Sequence, residues 1–360
     1  MHVFAGANAQ GKTNLLEAVY FAATGHSPRT HQEHELIAWE ADVARVVADF
    51  SSTQRGTFTV EASLGRKLTP EGRRATGVSK RWKVNETPRQ LADLAGLVPV
   101  VLFLVDDLDI IRGEPARRRS FLDTDLAAMS RTYAWALRQY TRVIEQRNRV
   151  LKDLRDGHAA REDLLPWNEQ LATFGGRLLE VRTRFIADIN TVSGTVYQGL
   201  TGSPQQLAVT YLRDGDEGQT APATREAFAT GLRDALDAAH AEEIRRGSSL
   251  VGPHRDELRF TVDARDVRQF GSQGEQRTAA LALRVAEFTL LHRLLGEPPV
   301  MLLDDILSEL DRTRRGALLD HLAPVAQVIV TTTDIDAIGL PAHGHVRLYQ
   351  VARGEVKSEE

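Results

Sequence analysis

The chain has 360 residues, of which 42% are hydrophobic and 26% charged, and its formal net charge is −4, values ordinary for a soluble globular protein of one or two domains. No run approaches the ~20 apolar residues of a membrane span, and the first residues lack a signal-peptide pattern. The lack of cysteine excludes disulfides and thiolate metal sites. We therefore expect a cytoplasmic protein without membrane contact. The negative net charge gives no global attraction to nucleic acid, so any DNA contact needs local basic patches.

A phosphate-binding sequence follows the apolar run at residues 3–5. Residues 6–13 have the spacing G-x-x-x-x-G-K-[ST], which predicts a P-loop between a strand and a helix. Gly6 and Gly11 allow the tight turn that brings backbone N–H groups to phosphate oxygens, and the helix adds its positive dipole end. Lys12 supplies charge for the β- and γ-phosphates, and the Thr13 hydroxyl can ligate Mg²⁺. The alternative is a glycine-rich turn that only opens a helix. The residues predicted to contact the nucleotide here are Gly6, Ala7, Asn8, Ala9, Gln10, Gly11, Lys12, Thr13 and Asn14.

A helix and an antiparallel patch are predicted next. Residues 13–24 have a helical apolar face, and residues 57–64 alternate with period two, which indicates a half-buried strand. A second strand is predicted to begin at Trp82, a residue that we expect in the core. Between the strands, residues 66–83 carry seven basic side chains and one acid. This segment is interpreted either as a solvated hairpin or as a phosphate-contacting loop.

The middle of the chain reads as a mostly helical insertion. A buried strand at 98–105 precedes a helical pattern at 114–155, which would be about 60 Å long if unbroken. A second helix at 164–197, with a kink at its Gly-Gly pair, would pair with it as an antiparallel hairpin. A strand at 207–212, a polar loop at 213–222 and a third helix at 223–246 follow.

Two acids end a second apolar strand, at residues 299–303. Parallel α/β sheets place ligands at the carboxyl ends of their strands, so Asp304 is expected to hold Mg²⁺ beside Thr13. Asp305 would lie near the γ-phosphate and orient or deprotonate the attacking water, which makes Asp305 and Lys12 the predicted catalytic residues. The alternative is two acids favoured by the dipole of a helix N-terminus.

A second candidate anion site opens the helix that runs to about residue 295. Residues 272–276 resemble the signature motif of ABC-type ATPases, residues 308–311 resemble their D-loop, and Thr333 or a neighbour stands where their switch histidine is usual. The resemblance adds five residues to the predicted nucleotide contacts: Ser272, Gln273, Gly274, Glu275 and Gln276.

The ordered set of motifs resembles the RecF family of DNA replication and repair proteins. The resemblance covers nearly the whole chain and is carried by residues 8–18, 117–123, 252–256, 272–283, 302–311 and 331–334. The chain departs from the family in three respects. A strand pair that precedes the P-loop strand in relatives is absent here, either because the start is truncated or because the domain is trimmed, so an antiparallel sheet is expected to lack its edge. Residues 104–108 replace a Ser-Pro-Glu-Asp pattern, and there is no clear Q-loop glutamine.

The resemblance implies an α/β fold: a P-loop NTPase with an ABC-type ATPase head, a mixed sheet and an inserted helical lobe. The ATPase lobe would comprise residues 1–108 and 253–360, and the helical arm residues 109–252. It further implies a slow ATPase that uses ATP and Mg²⁺, and a homodimer in which the signature motif of one copy completes the site of the other. Such a dimer would bind double-stranded and gapped DNA and act with the mediator proteins RecR and RecO to load the recombinase.

Two other function classes remain open at this point. The nucleotide-binding subunit of a membrane transporter shares the motif order but does not account for the long helical arm. A small-metabolite kinase accounts for Lys12 and Thr13 but leaves residues 272–276 without a role. His254 and Arg255 could contact nucleotide or serve only in structural hydrogen bonds. Residues 117–119 are interpreted either as a solvated helix start or as a DNA contact.

Overall fold

The computed structural model describes residues 1–30, 32–68, 74–213, 221, 223–322, 327–335 and 345–359. These residues form two compact units, one of Met1–Asp107 with Glu287–Glu360 and one of Leu108–Ala286. This division places residues 272–276 in the second unit, whereas we expected them in the ATPase lobe. The assignment of an ATPase lobe and an inserted arm stays a prediction.

Thirteen strands occur in the described residues. In chain order they are β1 (His2–Ala5), β2 (Val43–Ser52), β3 (Gly56–Leu68), β4 (Arg74–Val84), β5 (Thr87–Arg89), β6 (Val100–Leu104), β7 (Leu207–Leu212), β8 (Glu257–Val262), β9 (Arg265–Asp266), β10 (Val300–Asp304), β11 (Val328–Thr332), β12 (Arg347–Ala352) and β13 (Glu355–Glu359).

Eight α-helices occur in the same described ranges. They are α1 (Lys12–Thr24), α2 (Pro115–Met129), α3 (Arg131–Arg155), α4 (Leu165–Thr201), α5 (Arg225–Arg246), α6 (Val267–Phe270), α7 (Gln273–Leu295) and α8 (Arg312–Leu322). None of the described helices is both long enough and apolar enough to cross a membrane.

The first unit contains a six-stranded sheet with the order β13-β12-β1-β11-β10-β6. All neighbouring pairs are parallel except β12 and β13, so the sheet is mixed and the α/β prediction is confirmed. Ala5 pairs with Thr332, and Asp304 pairs with both Thr331 and Leu104. The register therefore brings the carboxyl ends of β1, β11, β10 and β6 to one edge, where the P-loop begins.

Helix α1 packs between two sheets. Leu16 and Tyr20 contact Leu102 and Leu302 of the six-stranded sheet, and all four side chains are buried. Phe21, one position further along, belongs to a second buried cluster with residues of the antiparallel sheet β2-β3-β4-β5. Two apolar faces on one helix fix its direction, and its N-terminus follows directly from Gly11.

The antiparallel sheet corrects one prediction. Trp82 lies near the end of β4, not at its start, because the strand begins at Arg74 and pairs with β3 across most of the basic segment. Arg66 and Lys80 lie on the same face of the sheet as Leu64 and Trp82, so cations interrupt the apolar positions and mask the period-two pattern. Trp82 itself is 6% exposed and lies in the core cluster, as predicted.

The second unit is a helical layer with the three-stranded sheet β7-β8-β9. The long helical pattern breaks at Ser130, whose side chain accepts a hydrogen bond from the backbone N–H of Tyr133 and caps α3. Helix α4 is continuous through Gly175 and Gly176, where we predicted a kink. A Cβ at Gly176 would lie 2.7 Å from the carbonyl oxygen of Arg225, so the glycine pair permits close packing of α5 instead.

Candidate functional site

The P-loop wraps around the ammonium group of Lys12. Gly11 has φ +98° and Ala9 has φ +62°, so the chain takes left-handed turns just before α1 begins. The Nζ atom of Lys12 donates hydrogen bonds to the carbonyl oxygens of Gly6, at 2.7 Å, and Ala7, at 2.9 Å, and the side chain is buried. The loop thus places one positive charge and a helix N-terminus at the carboxyl end of β1, which is the arrangement that binds a polyphosphate.

Neighbouring strands hold the P-loop in this shape. The backbone N–H of Gly6 donates to Thr332, and a Cβ at Gly6 would lie only 2.3 Å from the carbonyl oxygen of Val351, so only glycine fits. The side chain of Gln10 accepts a hydrogen bond from the backbone N–H of Arg353 at 2.8 Å, and its carbonyl accepts one from Gly354 at 3.0 Å. Gln10, predicted as a nucleotide contact, therefore has its carboxamide oxygen engaged by the β12–β13 turn.

Thr13 and Asp304 lie together, as the motif spacing predicts. The Thr13 hydroxyl donates to Oδ1 of Asp304 at 3.0 Å. The hydroxyl of Thr331, buried on the intervening strand β11, donates to the same oxygen at 2.7 Å and accepts from the backbone N–H of Asp305 at 3.0 Å. Thr331 thus orients both acids. Sequence analysis cited it only as part of a family motif, although its place on the strand between the P-loop strand and the acids could have identified this role.

Asp305 has a distinct environment from Asp304. Its backbone is left-handed, with φ +53°, and Ser308 donates to its carbonyl oxygen at 2.6 Å. Burial raises the pKa of the Asp305 carboxyl above its usual value, while Ser308 and the charge of Lys12 act in the opposite direction. A carboxylate with a raised pKa is a stronger base than an ordinary aspartate, which suits the activation of water.

The donor set at Thr13 and Asp304 fits a magnesium ion. A hydroxyl and a carboxylate are hard oxygen ligands, and Mg²⁺ commonly binds one or two such side chains while keeping waters and phosphate oxygens. No group of three or more potential metal ligands of the His, Asp or Glu type occurs among the described residues, so nothing there resembles a self-contained metal centre.

The remaining P-loop predictions concern residues on the outer surface of the loop. Ala7, Asn8 and Ala9 are exposed, and Asn14 is exposed on the first turn of α1. The side-chain oxygen of Asn14 accepts a hydrogen bond from Arg29 at 3.2 Å. Their contacts with a nucleotide stay predictions.

The predicted signature motif forms the start of α7 in the second unit. The Ser272 hydroxyl accepts from the backbone N–H of Glu275 at 3.3 Å, and the Glu275 carboxylate accepts from the backbone N–H of Ser272 at 2.7 Å. This reciprocal capping box lowers the pKa of Glu275, chiefly through the backbone hydrogen bond. Gln273 and Ser272 are accessible, and Gly274 is half-buried, so the helix start presents free backbone N–H groups beside a hydroxyl.

Gln276 points inward, away from any ligand that would approach this helix start. Its Nε2 atom lies 3.0 to 3.3 Å from the carbonyl oxygens of Val267, Arg268 and Gly271, and the side chain is 6% exposed. Its amide therefore holds the short helix α6 against α7. The sequence motif alone could not distinguish this positioning contact from a ligand contact.

His254 and Arg255 form hydrogen bonds within the second unit. His254 Nδ1 lies 2.6 Å from the Tyr140 hydroxyl, and Nε2 lies 3.3 Å from the carbonyl oxygen of Ser249. Because a carbonyl can only accept, the geometry favours a proton on Nε2 and donation by Tyr140 to Nδ1. Burial lowers the pKa of His254 to about 4. These contacts match the structural interpretation of His254; Arg255 also donates to Ser249, at 2.8 Å.

The predicted basic segments are partly engaged within the chain. Arg66 donates to the carbonyl oxygens of Ile37 and Ala41, and Lys80 pairs with Glu33. Lys67 and Arg81 are exposed, and residues 69–73 lie outside the described residues.

The three arginines at 117–119 also differ in their exposure and contacts. Arg118 is 1% exposed and forms two 2.6 Å hydrogen bonds with the Glu257 carboxylate, and Arg119 donates to the carbonyl oxygen of Asp256. Only Arg117 is exposed. Neither interpretation of this run therefore holds for Arg118, because a buried bidentate ion pair is neither a solvated cation nor a DNA contact.

Comparison with known proteins extends these observations to a family. A family model described as the RecF/RecN/SMC N terminal domain matches residues 1–356. The DNA replication and repair protein RecF of Exiguobacterium sp. is 38% identical over 359 residues, which cover 99% of this chain and 93% of the relative.

Two solved structures are similar to this one over nearly its full length. The recombination mediator protein RecF-ATPrS in the RecFOR pathway has a TM-score of 0.85 and 27% identity, and the match covers 99% of this chain and 91% of that one. The corresponding structure of RecF-ATP has a TM-score of 0.84 and the same identity, with 100% and 91% covered. The fold is therefore that of an ABC-type ATPase head, and the chain belongs to the RecF family of DNA replication and repair proteins.

Proposed function

We propose that this chain is an ATP-dependent DNA-binding protein of recombination repair and replication restart in the cytoplasm. ATP binds the P-loop, and Thr13 and Asp304 hold Mg²⁺, which neutralises phosphate charge when bound. The observation that carries the proposal is the 3.0 Å hydrogen bond between Thr13 and Asp304, because it joins the P-loop to the strand-end acid in one site. The solved relatives described as RecF-ATP and RecF-ATPrS support ATP as the ligand.

Hydrolysis in this proposal is slow, stimulated weakly by DNA, and regulatory. Lys12 binds the β- and γ-phosphates, and Asp305 orients or deprotonates the attacking water. The γ-phosphate is covered by the start of α7 from a second copy, where Ser272 and free backbone N–H groups face the anion. ATP thus favours the closed dimer because it binds that state more tightly, and hydrolysis allows the two copies to separate.

The closed dimer binds double-stranded and gapped DNA, and the mediator proteins RecR and RecO act with it to load the recombinase. The family assignment and the RecFOR pathway named for the solved relatives support these partners.

Light scattering with and without ATP and Mg²⁺ tests the composite site. We expect ATP to convert the wild type to a dimer, and Lys12→Met to remove both ATP binding and dimerisation. Ser272→Arg should bind ATP normally yet remain monomeric. Ser272→Asn is the matched control, since asparagine also caps a helix and adds no charge, and it should still dimerise. A Ser272→Arg protein that dimerises like the wild type would contradict the composite site.

A further inference from the structure

One face of α3 carries a basic stripe. Along this helix, six exposed side chains are cationic and two are acidic, in a chain whose net charge is −4. The exposed cations are Arg131, Arg138, Arg142, Arg149, Lys152 and Arg155, and the exposed acids are Glu145 and Asp153. A helix with this excess of positive charge differs sharply from the average surface of the protein.

The spacing places these cations on one side of the helix. At about 100° per residue, residues 131, 138, 142, 149 and 152 fall within an arc of about 80°, and Glu145 is the one exposed acid of α3 in that arc. At 1.5 Å per residue the stretch from Arg138 to Lys152 is about 21 Å long. The opposite face anchors the helix. Tyr133, Tyr140 and Leu151 are buried there, and so is Arg147, which pairs with Glu243. The stripe is therefore a straight array on a firmly packed support.

Four cations of the stripe lack the acidic partners that neutralise arginines of α5. On α5, Arg233 pairs with Glu169, and both Arg245 and Arg246 pair with Glu242. By contrast, Arg138, Arg142, Arg149 and Lys152 form no ion pair within the described part of the chain. Arginine is well suited to bidentate phosphate contacts, and unpaired cations lose no intramolecular partner when they bind a polyanion.

The aromatic side chain beside the stripe is not a base-stacking platform. Trp135 is 43% exposed, but the Arg177 guanidinium lies 5.9 Å from its ring centroid, and Phe174 packs on it edge-to-face at 5.4 Å. Proteins that bind single strands combine basic grooves with open aromatic faces. A rigid stripe without an open face fits the backbone of a duplex, which carries about 12 charges over 21 Å.

We propose that the exposed face of α3 is a phosphate-contacting surface for double-stranded DNA, with Arg138, Arg142, Arg149 and Lys152 as its contacts. This inference rests on the proposed DNA-binding function and assigns it a surface. We expect this surface to bind DNA independently of its base sequence, because phosphate contacts position a protein on DNA without contacting the bases.

Salt-dependent binding of a 30-base-pair duplex, followed by fluorescence anisotropy in ATP and Mg²⁺, tests the assignment. For Arg138→Ala/Arg142→Ala we expect the slope of log affinity against log salt to fall by about 2, since each lost phosphate contact removes about 0.9. Glu145→Lys should steepen the slope by about 1. Arg245→Ala/Arg246→Ala on α5 is the matched control and should leave it unchanged.

The outcomes separate the two proposals. An unchanged slope in the α3 double variant, an equal loss in the α5 control, or a defect confined to a single strand of the same length would overturn the surface assignment while leaving duplex binding intact. If the wild type dimerises with ATP but binds no duplex, the proposed DNA function fails as well. Light scattering with ATP should give identical dimers for all variants.

Discussion

Thr13 donates a hydrogen bond to Asp304 across 291 positions of the chain, from the first turn of α1 to the end of β10. The contact depends on the parallel register of β1, β11 and β10, which brings the carboxyl ends of these strands together. It also brings together the two side chains that we propose as ligands of Mg²⁺.

Asp304→Asn should separate metal binding from nucleotide binding. Asparagine keeps the shape of the side chain but removes the negative charge that a divalent cation requires. We expect the affinity for ATP with Mg²⁺ to fall about 10- to 100-fold, and the affinity for ATP in a chelator to change little. Isothermal titration calorimetry measures both. Asp237→Asn changes an exposed acid on α5 and serves as the control, and an equal loss in both variants would argue against the assignment.

Asp305→Asn should uncouple hydrolysis from binding. Loss of a positioned base lowers a rate by about 10²- to 10⁴-fold, while Lys12 and Ser272 still bind the triphosphate. We expect the ATP-induced dimer to persist and become longer-lived. Because the base acts when ionised and its pKa is raised, the wild-type rate should decline on acidification at a higher pH than an ordinary aspartate would give. Phosphate release measured across pH checks both points, and normal turnover in the variant would exclude this role.

Glu243→Gln should destabilise the second unit strongly. Glu243 and Arg147 are both 0% exposed and lie 2.5 Å apart, and Arg147 also donates to Asn168 and Ser249. Neutralising one partner leaves a buried charge without its counterion, which costs about 3–5 kcal/mol of the free energy of unfolding. Urea denaturation measures the loss.

A double variant, Arg147→Met/Glu243→Leu, controls for the loss of packing. It removes both charges and should recover much of the stability. A single variant within 1 kcal/mol of the wild type would show that the pair contributes little.

His254 should make the stability of this unit sensitive to acid. Its pKa is about 4 in the folded chain and near 6.5 in the unfolded chain, so the unfolded state binds the proton more readily between these values. The free energy of unfolding should therefore decrease as the pH falls from about 6.5 towards 4, by up to about 3 kcal/mol from this group.

His254→Asn should flatten this pH dependence, since asparagine does not titrate. Urea denaturation at pH 5 and pH 7 compares the two proteins, and other groups cancel in the difference. His158→Asn, at an exposed position, should retain the wild-type slope. Parallel curves for all three proteins would mean that His254 is not the titrating group.

The parts of the site that were predictable are those fixed by local spacing and strand ends. The turn before Lys12 and the acids after an apolar strand each follow from a short pattern, and the topology of a parallel sheet joins them. The family assignment leaves the transporter and kinase alternatives without support. The roles of the individual site residues stay predictions.

The contacts that escaped prediction depend on packing between distant segments. Gln276 faces inward, where its Nε2 atom lies near three carbonyl oxygens of the preceding segment. Arg118 is buried, and its guanidinium pairs with Glu257 on the neighbouring strand β8. Neither the carbonyl groups that Gln276 contacts nor the Glu257 carboxylate can be recognised as a partner from sequence separation or charge pattern. The break at Ser130 is encoded locally, but an N-cap serine within a run of helix-forming residues is easily overlooked.

The buried Thr331 hydroxyl affects how precisely Asp304 and Asp305 are positioned relative to each other. This hydroxyl donates to the Asp304 side chain and accepts from the Asp305 backbone N–H, so the acids that we propose for metal binding and for water activation share a single reference point. We therefore expect a displacement of β11 to move both acids in the same direction, with little change in the separation between them.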